Sequence, residues 1–158
     1  MDSEYKLYLQ RAQNELNLSR IILRISDDKD LQISTFAMKE DTYYSATIAH
    51  AYYSIFYGAK AYLLVRGIKT EAPEEHKKTF DQFSKLVDKG IVDVQLLKIY
   101  RNMLIRADTL LHIFKIEKGK RGKFTYKRIA QANREPAQES IKNAEFFFNN
   151  IFNLCNEE

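Results

Sequence analysis

The sequence predicts an all-α fold, an antiparallel bundle of about five helices forming one domain over residues 1–158. Three observations lead there. Apolar residues recur at spacings of three and four in one segment after another, and no stretch sustains the two-residue alternation of a half-buried strand. Five Gly and two Pro in 158 residues argue for long elements and few tight turns. A hydrophobic share of 45% against 29% charged residues suits a globular chain able to bury a core.

Each helix has its own signature. The first runs from about Ser3, a cap residue, to Ile25. Tyr5, Leu9, Ala12, Leu16, Ser19 and Leu23 make its inner face. "SDDKD" at 26–30 breaks the pattern, and residues 31–41 read equally as helix or loop. The second helix starts near Asp41, a good N-cap, and stops at Gly67, a good C′ residue. Its Ala46, Ala49, Gly58, Ala59 and Ala61 would let other helices approach closely, so it is expected at the centre of the bundle. The third follows Pro73, with Glu74 and Glu75 complementing its N-terminal dipole, and ends at Gly90. Phe80, Phe83 and Val87 face inward. The fourth runs from near Asp93 to Ile116, with Leu96, Ile99, Met103, Ala107, Leu110 and Phe114 as its apolar row. The last begins near Pro136 and carries Ile141, Ala144, Phe148, Ile151 and Cys155.

Composition removes several function classes. One cysteine, Cys155, excludes an intrachain disulfide framework and a zinc site built on several thiolates, so a reducing cytoplasm is expected. The start, "MDSEYKLYLQ", lacks the apolar run of a signal peptide. Thr42 to Val65 is long enough to span a bilayer and holds one charge, Lys60, but its six Tyr, His50 and hydroxyl residues suit a buried central helix better than a membrane. No Gly-rich phosphate loop and no serine nucleophile elbow are present. His50, His76 and His112 lack paired metal-ligand spacing, so no metal and no cofactor are expected.

Charge is concentrated in one place. "KGKRGKFTYKR", Lys118 to Arg128, carries Lys118, Lys120, Arg121, Lys123, Lys127 and Arg128 and no acid. Removing these six from 25 basic residues leaves 19 against 21 acids, a net −2 for the rest. Phe124 and Tyr126 are interleaved with the charges, and Gly119 and Gly122 permit close backbone approach. Such a run can neutralise phosphates while its aromatics stack on unpaired bases, which fits single-stranded RNA better than a duplex groove. A solvated connector is the plainer alternative.

The fourth helix offers a second candidate. Arg101, Asp108, His112 and Lys115 fall within about 60° of one another around the axis. Asp108 and His112 are four apart and can pair, orienting the imidazole. The plainer alternative is a solvated helix face with a routine ion pair. Arg106 precedes His112 with five residues between them, but helical phase sets the two about 120° apart. The tyrosines of the second helix could line a ligand pocket between helices. Core packing with satisfied hydroxyls is their plainer explanation.

Three segments resemble the HEPN-domain family of small prokaryotic helical bundles. "IAHAYYSIFYGAKAYLLVRGIKTEAPEEH" is similar to the family's Tyr-Tyr pair, its small and aromatic residues, "AKAYLL", a Gly turn and a following His, here His76. "KRGKFTY" resembles its Arg-to-aromatic motif before the final helix, and "PAQESIKNAEFFFNNI" its closing helix. Together they cover about Tyr43 to Phe152. The resemblance implies an antiparallel bundle, a homodimer, and work in RNA-targeting systems. Many such proteins are metal-independent endoribonucleases and toxins whose antitoxin is a minimal nucleotidyltransferase. Their catalytic motif is Arg, four to six residues, then His, with His moving the 2′-hydroxyl proton and Arg steadying the phosphate. Here Arg121 is followed, four residues intervening, by Tyr126 in place of that His. A tyrosine, with a reference pKa of about 10, is a poor base near neutrality. Arg106 and His112 match the spacing formally. The expectation is an RNA-binding, toxin-type component with a degenerate motif; the alternatives are an active endoribonuclease and a nucleotide or small-ligand binding module.

Overall fold

A computed structural model describes residues 2–117 and 134–157, with side chains for 3–110 and 134–157. It contains α1 (Asp2–Asp27), α2 (Lys29–Ser34), α3 (Tyr44–Val65), α4 (Glu75–Asp88), α5 (Val94–Glu117) and α6 (Arg134–Glu157), and among the described residues no strand. The all-α bundle expected from periodicity is therefore present. The sixth helix is the short α2, which begins within "SDDKD", expected as a break, and runs into the stretch 31–41 whose sequence supports helix and loop equally.

α3 is the central element. Its neighbours are α1, α4, α5 and α6, and fourteen of its residues are buried, from Tyr44 to Leu63. Contacts along its length give the directions. Tyr8 of α1 stacks near Tyr57, Glu15 meets His50, and Ser26 meets Tyr43, so α1 and α3 are antiparallel. Tyr52 faces Tyr100 while Tyr44 and Ile48 meet Leu110, so α5 is antiparallel to α3 as well. α6 runs the other way. Ala137 packs with Ile48, and Phe147 and Ile151 lie beside Gly58, which makes α3 and α6 a parallel pair. α1 and α5 flank that pair on opposite sides.

Local chemistry explains the boundaries. α3 begins at Tyr44 rather than at Asp41, because its N-cap Tyr43 makes no side-chain capping bond. The free N–H of Tyr43 is instead satisfied by Ser26 Oγ at 2.8 Å, seventeen residues earlier. Asp41 accepts a bond from the Tyr43 hydroxyl at 3.1 Å. The buried Gln32 amide donates to the carbonyls of Ser26 and Asp41, tying α2 and the following loop to the end of α1. Gly67 and Gly90 end their helices at φ of +74° and +73°, as a left-handed C′ residue should. α4 starts at Glu75, not Glu74, which sits at φ +56° as the N-cap without a side-chain bond. The Glu75 carboxylate pairs with the buried Lys60 of α3, and this ion pair anchors the start of α4 to the core.

The core follows the predicted rows. Leu9, Ala12, Leu16 and Ser19 of α1 are buried, as are Ile141, Ala144, Phe148, Ile151 and Cys155 of α6. Tyr100, Phe83 and Phe147 form an aromatic hub, with ring centroids 5.6–5.9 Å apart. Among the described residues no helix is long and apolar enough to cross a membrane.

A Cβ on Gly58 would lie 3.5 Å from Phe147 Cε1 and 3.8 Å from Ile151 Cγ2, ordinary contact distances. Gly58→Ala should therefore fit and raise helix propensity, a gain of up to about 1 kcal/mol. Gly58→Leu should overpack the α3–α6 contact and cost about 1–3 kcal/mol. Denaturant unfolding of the two variants checks both signs.

Candidate functional site

A groove of about 510 Å³ lies between α3 and α5 and ends against the first turn of α4. α3 contributes Ser45, Ala46, Ala49, Tyr52 and Tyr53, positions that fall on one face of a helix. α5 contributes Leu104, Ala107, Asp108 and Leu110, and α4 contributes His76. Two of the alanines expected to admit a neighbouring helix, Ala46 and Ala49, line this groove instead. Gly58, Ala59 and Ala61 are buried in the core.

The polar groups are few and oriented. Tyr52 Oη lies 2.8 Å from His76 Nδ1. The imidazole stacks on Phe56 with centroids 3.9 Å apart and planes 14° from parallel, and Tyr53 meets it edge-on at 6.0 Å. Burial pushes the Tyr52 phenol well above its ordinary range, reinforced by Tyr53 and by the Asp108 carboxylate. Its hydroxyl therefore keeps its proton, and the phenol and the imidazole share one hydrogen bond. Burial also lowers the affinity of His76 for a second proton; Glu75 opposes this and Lys60 adds to it. An imidazole that favours its neutral form is the result.

The tyrosines divide between the two sequence readings. Tyr44 is core-packed and satisfied: its hydroxyl lies 2.5 Å from Asp27 Oδ1, and burial together with that carboxylate pushes its pKa up to about 12. Tyr100 is fully buried, and its hydroxyl has no hydrogen-bond partner among the described residues. Tyr52 and Tyr53 line the groove. On another face of α3, Arg11 lies over the rings of Tyr8 and Tyr57, and Glu15 Oε2 lies 2.5 Å from His50 Nδ1.

The residues singled out in the sequence separate in space. Asp108 lines the groove, and Arg101 lies over the Phe80 ring at 5.8 Å. Arg106 points to the opposite side of α5. It donates to the Pro136 carbonyl at 3.2 Å and to Ser140 Oγ at 2.9 Å, with Glu139 3.5 Å away. It thus pins the start of α6 to α5, a role that spacing from His112 did not suggest. His112 belongs to α5, but its side chain lies outside the described residues, as do Lys115 and Phe114. Lys118, Lys120, Arg121, Lys123, Phe124, Tyr126, Lys127 and Arg128 also lie outside them. Their place in the chain is between Glu117, which ends α5, and Arg134, which opens α6. Among the described residues no group of three or more His, Cys, Asp or Glu could hold a metal ion.

Sequence reasoning did not place His76 in a site. The one local signal was an imidazole in the first turn of a helix beside two glutamates, which does not reveal a tyrosine partner twenty-four residues away.

The HEPN domain model matches residues 20–154. No curated protein and no solved structure matches the chain.

The lowered proton affinity of His76 has a pH consequence. Its folded-state pKa lies below the ordinary 6.5, so protonation favours the unfolded chain. The stabilisation is complete above that ordinary value and is lost as pH falls through the folded-state value. His76→Gln removes the titration. The difference in melting temperature between wild type and His76→Gln should therefore shift against wild type on going from pH 7 to pH 5. Thermal unfolding at the two pH values measures it, and an unchanged difference contradicts the assignment.

Proposed function

Because the chain belongs to the HEPN domain family, we propose that it binds single-stranded RNA as the toxin-type component of a toxin–antitoxin or related defence system, through the basic aromatic segment Lys118 to Arg128. One observation carries this. The segment with a charge of +6 lies in the chain between α5 and α6, two helices that pack together beside the groove. Arg106 bonds the start of α6, and Leu110 packs with the cluster that contains Ala137. Leu110 also lines the apolar groove, whose lining includes tyrosines. Backbone charge and exposed aromatics are the two parts that single-strand binding needs.

The catalytic side of the proposal is weaker by design of the residues. Arg121 and Tyr126 take the places of the family's Arg and His, and a tyrosine can hydrogen-bond or stack but is a poor base near neutral pH. The alternative pair, Arg106 and His112, shares its arginine with the α5–α6 junction. These points support an RNA-binding member whose motif has drifted over an active metal-independent endoribonuclease. Homodimerisation and a minimal nucleotidyltransferase partner belong to the same proposal, on the ground of family alone.

Two measurements test it. Replacing Lys118, Lys120 and Lys123 by Ala should lower the slope of log K against log salt for a single-stranded RNA by about 2, since each phosphate contact on a single strand contributes about 0.7. An unchanged slope removes the electrostatic role of the segment. In a metal-free cleavage assay, wild type should cut poorly and Tyr126→His should cut faster. Efficient cutting by wild type that Arg121→Ala or His112→Ala abolishes would restore the endoribonuclease reading.

A further inference from the structure

Three helix ends share one hydrogen-bond pattern. After α3, the Gly67 N–H donates to the Leu64 carbonyl at 2.9 Å and the Ile68 N–H to the Leu63 carbonyl at 2.8 Å. After α4, the Gly90 N–H donates to the Val87 carbonyl and the Ile91 N–H to the Leu86 carbonyl, both at 2.9 Å. After α2, the Phe36 N–H donates to the Ile33 carbonyl at 3.2 Å and the Ala37 N–H to the Gln32 carbonyl at 2.8 Å. This motif needs a left-handed residue just past the cap, and glycine takes that conformation freely. Two of the three ends have their glycine. The third has Phe36, at φ +66°.

The folded chain gains nothing from a phenylalanine there. A left-handed residue with a Cβ is strained. The Phe36 side chain is 98% exposed, so burial does not offset the strain. Ile33 and Met38 beside it in the chain are exposed as well, at 58% and 60%. Yet the turn is firmly built. Asp28 caps α2 by accepting from the Leu31 N–H at 3.1 Å, and Thr35 Oγ1 donates to the Leu31 carbonyl at 2.8 Å. The buried Gln32 amide holds both ends of the segment through Ser26 and Asp41. Strain kept in place by a rigid frame clusters where a protein grips something outside itself. An aromatic side chain presented on such a frame loses little freedom on docking, which is what a binding hot spot requires.

The surrounding charge describes the partner. Residues 27–41 hold Asp27, Asp28, Asp30, Glu40 and Asp41 against Lys29 and Lys39, a net −3 in a chain whose total is +4. An acidic collar repels phosphates, so neither RNA nor an anionic bilayer suits this turn. It attracts a cationic rim. We infer that the turn after α2 is a protein-docking site, at which Phe36, flanked by Ile33 and Met38, enters an apolar surface of a partner protein rimmed by Lys or Arg. The inference goes beyond the RNA reading and does not depend on it, because the two use different segments of opposite charge.

Phe36→Gly tests it first through stability. The variant keeps the motif and relieves the backbone, so its melting temperature should rise by about 2–4 °C. A fall would mean that Phe36 serves the fold itself, which overturns the proposal. A fluorescein-labelled amphipathic helix of Leu and Lys supplies an apolar face with a cationic rim, and fluorescence anisotropy follows its binding. Wild type should bind it about tenfold or more tightly than Phe36→Gly does, the effect of burying a phenyl ring. Wild type should also prefer it to the same helix with Glu in place of Lys. The double change Asp30→Asn and Glu40→Gln, at two exposed positions, should weaken that preference. Equal binding by wild type and Phe36→Gly, or no preference for Lys over Glu, overturns the proposal. Sedimentation equilibrium and a single-stranded RNA titration separate the other occupants. Phe36→Gly should leave both the molecular mass and the RNA affinity of wild type unchanged. A lower mass would make a second copy of the chain the occupant, and a lost RNA affinity would make the turn part of the RNA site. Either result overturns a separate protein partner.

Discussion

The parallel contact between α3 and α6 is the constraint on which the rest of the molecule depends. Gly58 lets Phe147 and Ile151 lie directly on the α3 backbone, and Ile48 with Ala137, nearer the start of both helices, continues the same contact surface. Two helices that run parallel cannot be joined by a short turn. The chain between them must return the full length of the bundle, and α4 and α5 are that return. The groove lies within this arrangement: α5 meets α3 through Tyr100 and Tyr52, and the small residues Ala46, Ala49 and Ala107 line the space between the two helices.

Charge is used sparingly inside the bundle. The buried Lys60 sits 4.7 Å from the centroid of Tyr8 and is neutralised by Glu75, so a cation in the core is met by an aromatic face and a carboxylate. A buried pair of this kind adds little net stability but penalises any packing in which the partners separate. It therefore specifies where α4 starts. His76, the next residue, is held at the mouth of the groove as a consequence, with Phe56 under its ring and Tyr52 on its Nδ1. The same short stretch of chain thus fixes both the architecture and the imidazole at the site.

Much of this was legible in the sequence, and what was not has a physical reason. The inner rows of α1 and α6 were readable because each has one buried face, and a 3.6-residue period reports one face well. α3 is buried on most sides, so its period carried less information; its small residues signalled close packing but not which of them touch a helix and which border a gap. α3 begins three residues after Asp41, and the N–H of its N-cap Tyr43 is met by Ser26, a contact that no local window contains. Arg106 and His112 matched the motif spacing only formally, since helical phase already set them apart; that Arg106 bonds Pro136 and Ser140 no sequence window could show. The family resemblance placed His76 within its motif, but only the folded chain joins it to Tyr52 and Asp108.

The return path from α3 to α6 also bears on how the protein is made. The α1–α3 hairpin can assemble as soon as α3 has been synthesised, since its contacts are local in the chain. The strip of α3 that receives Phe147 and Ile151 has to wait for some ninety more residues, and until then it stays uncovered. Non-local closure of this sort slows folding and leaves an apolar surface open to unwanted association during synthesis. Gly58, which brings the last helix so near, therefore also marks the place where the growing chain is longest exposed.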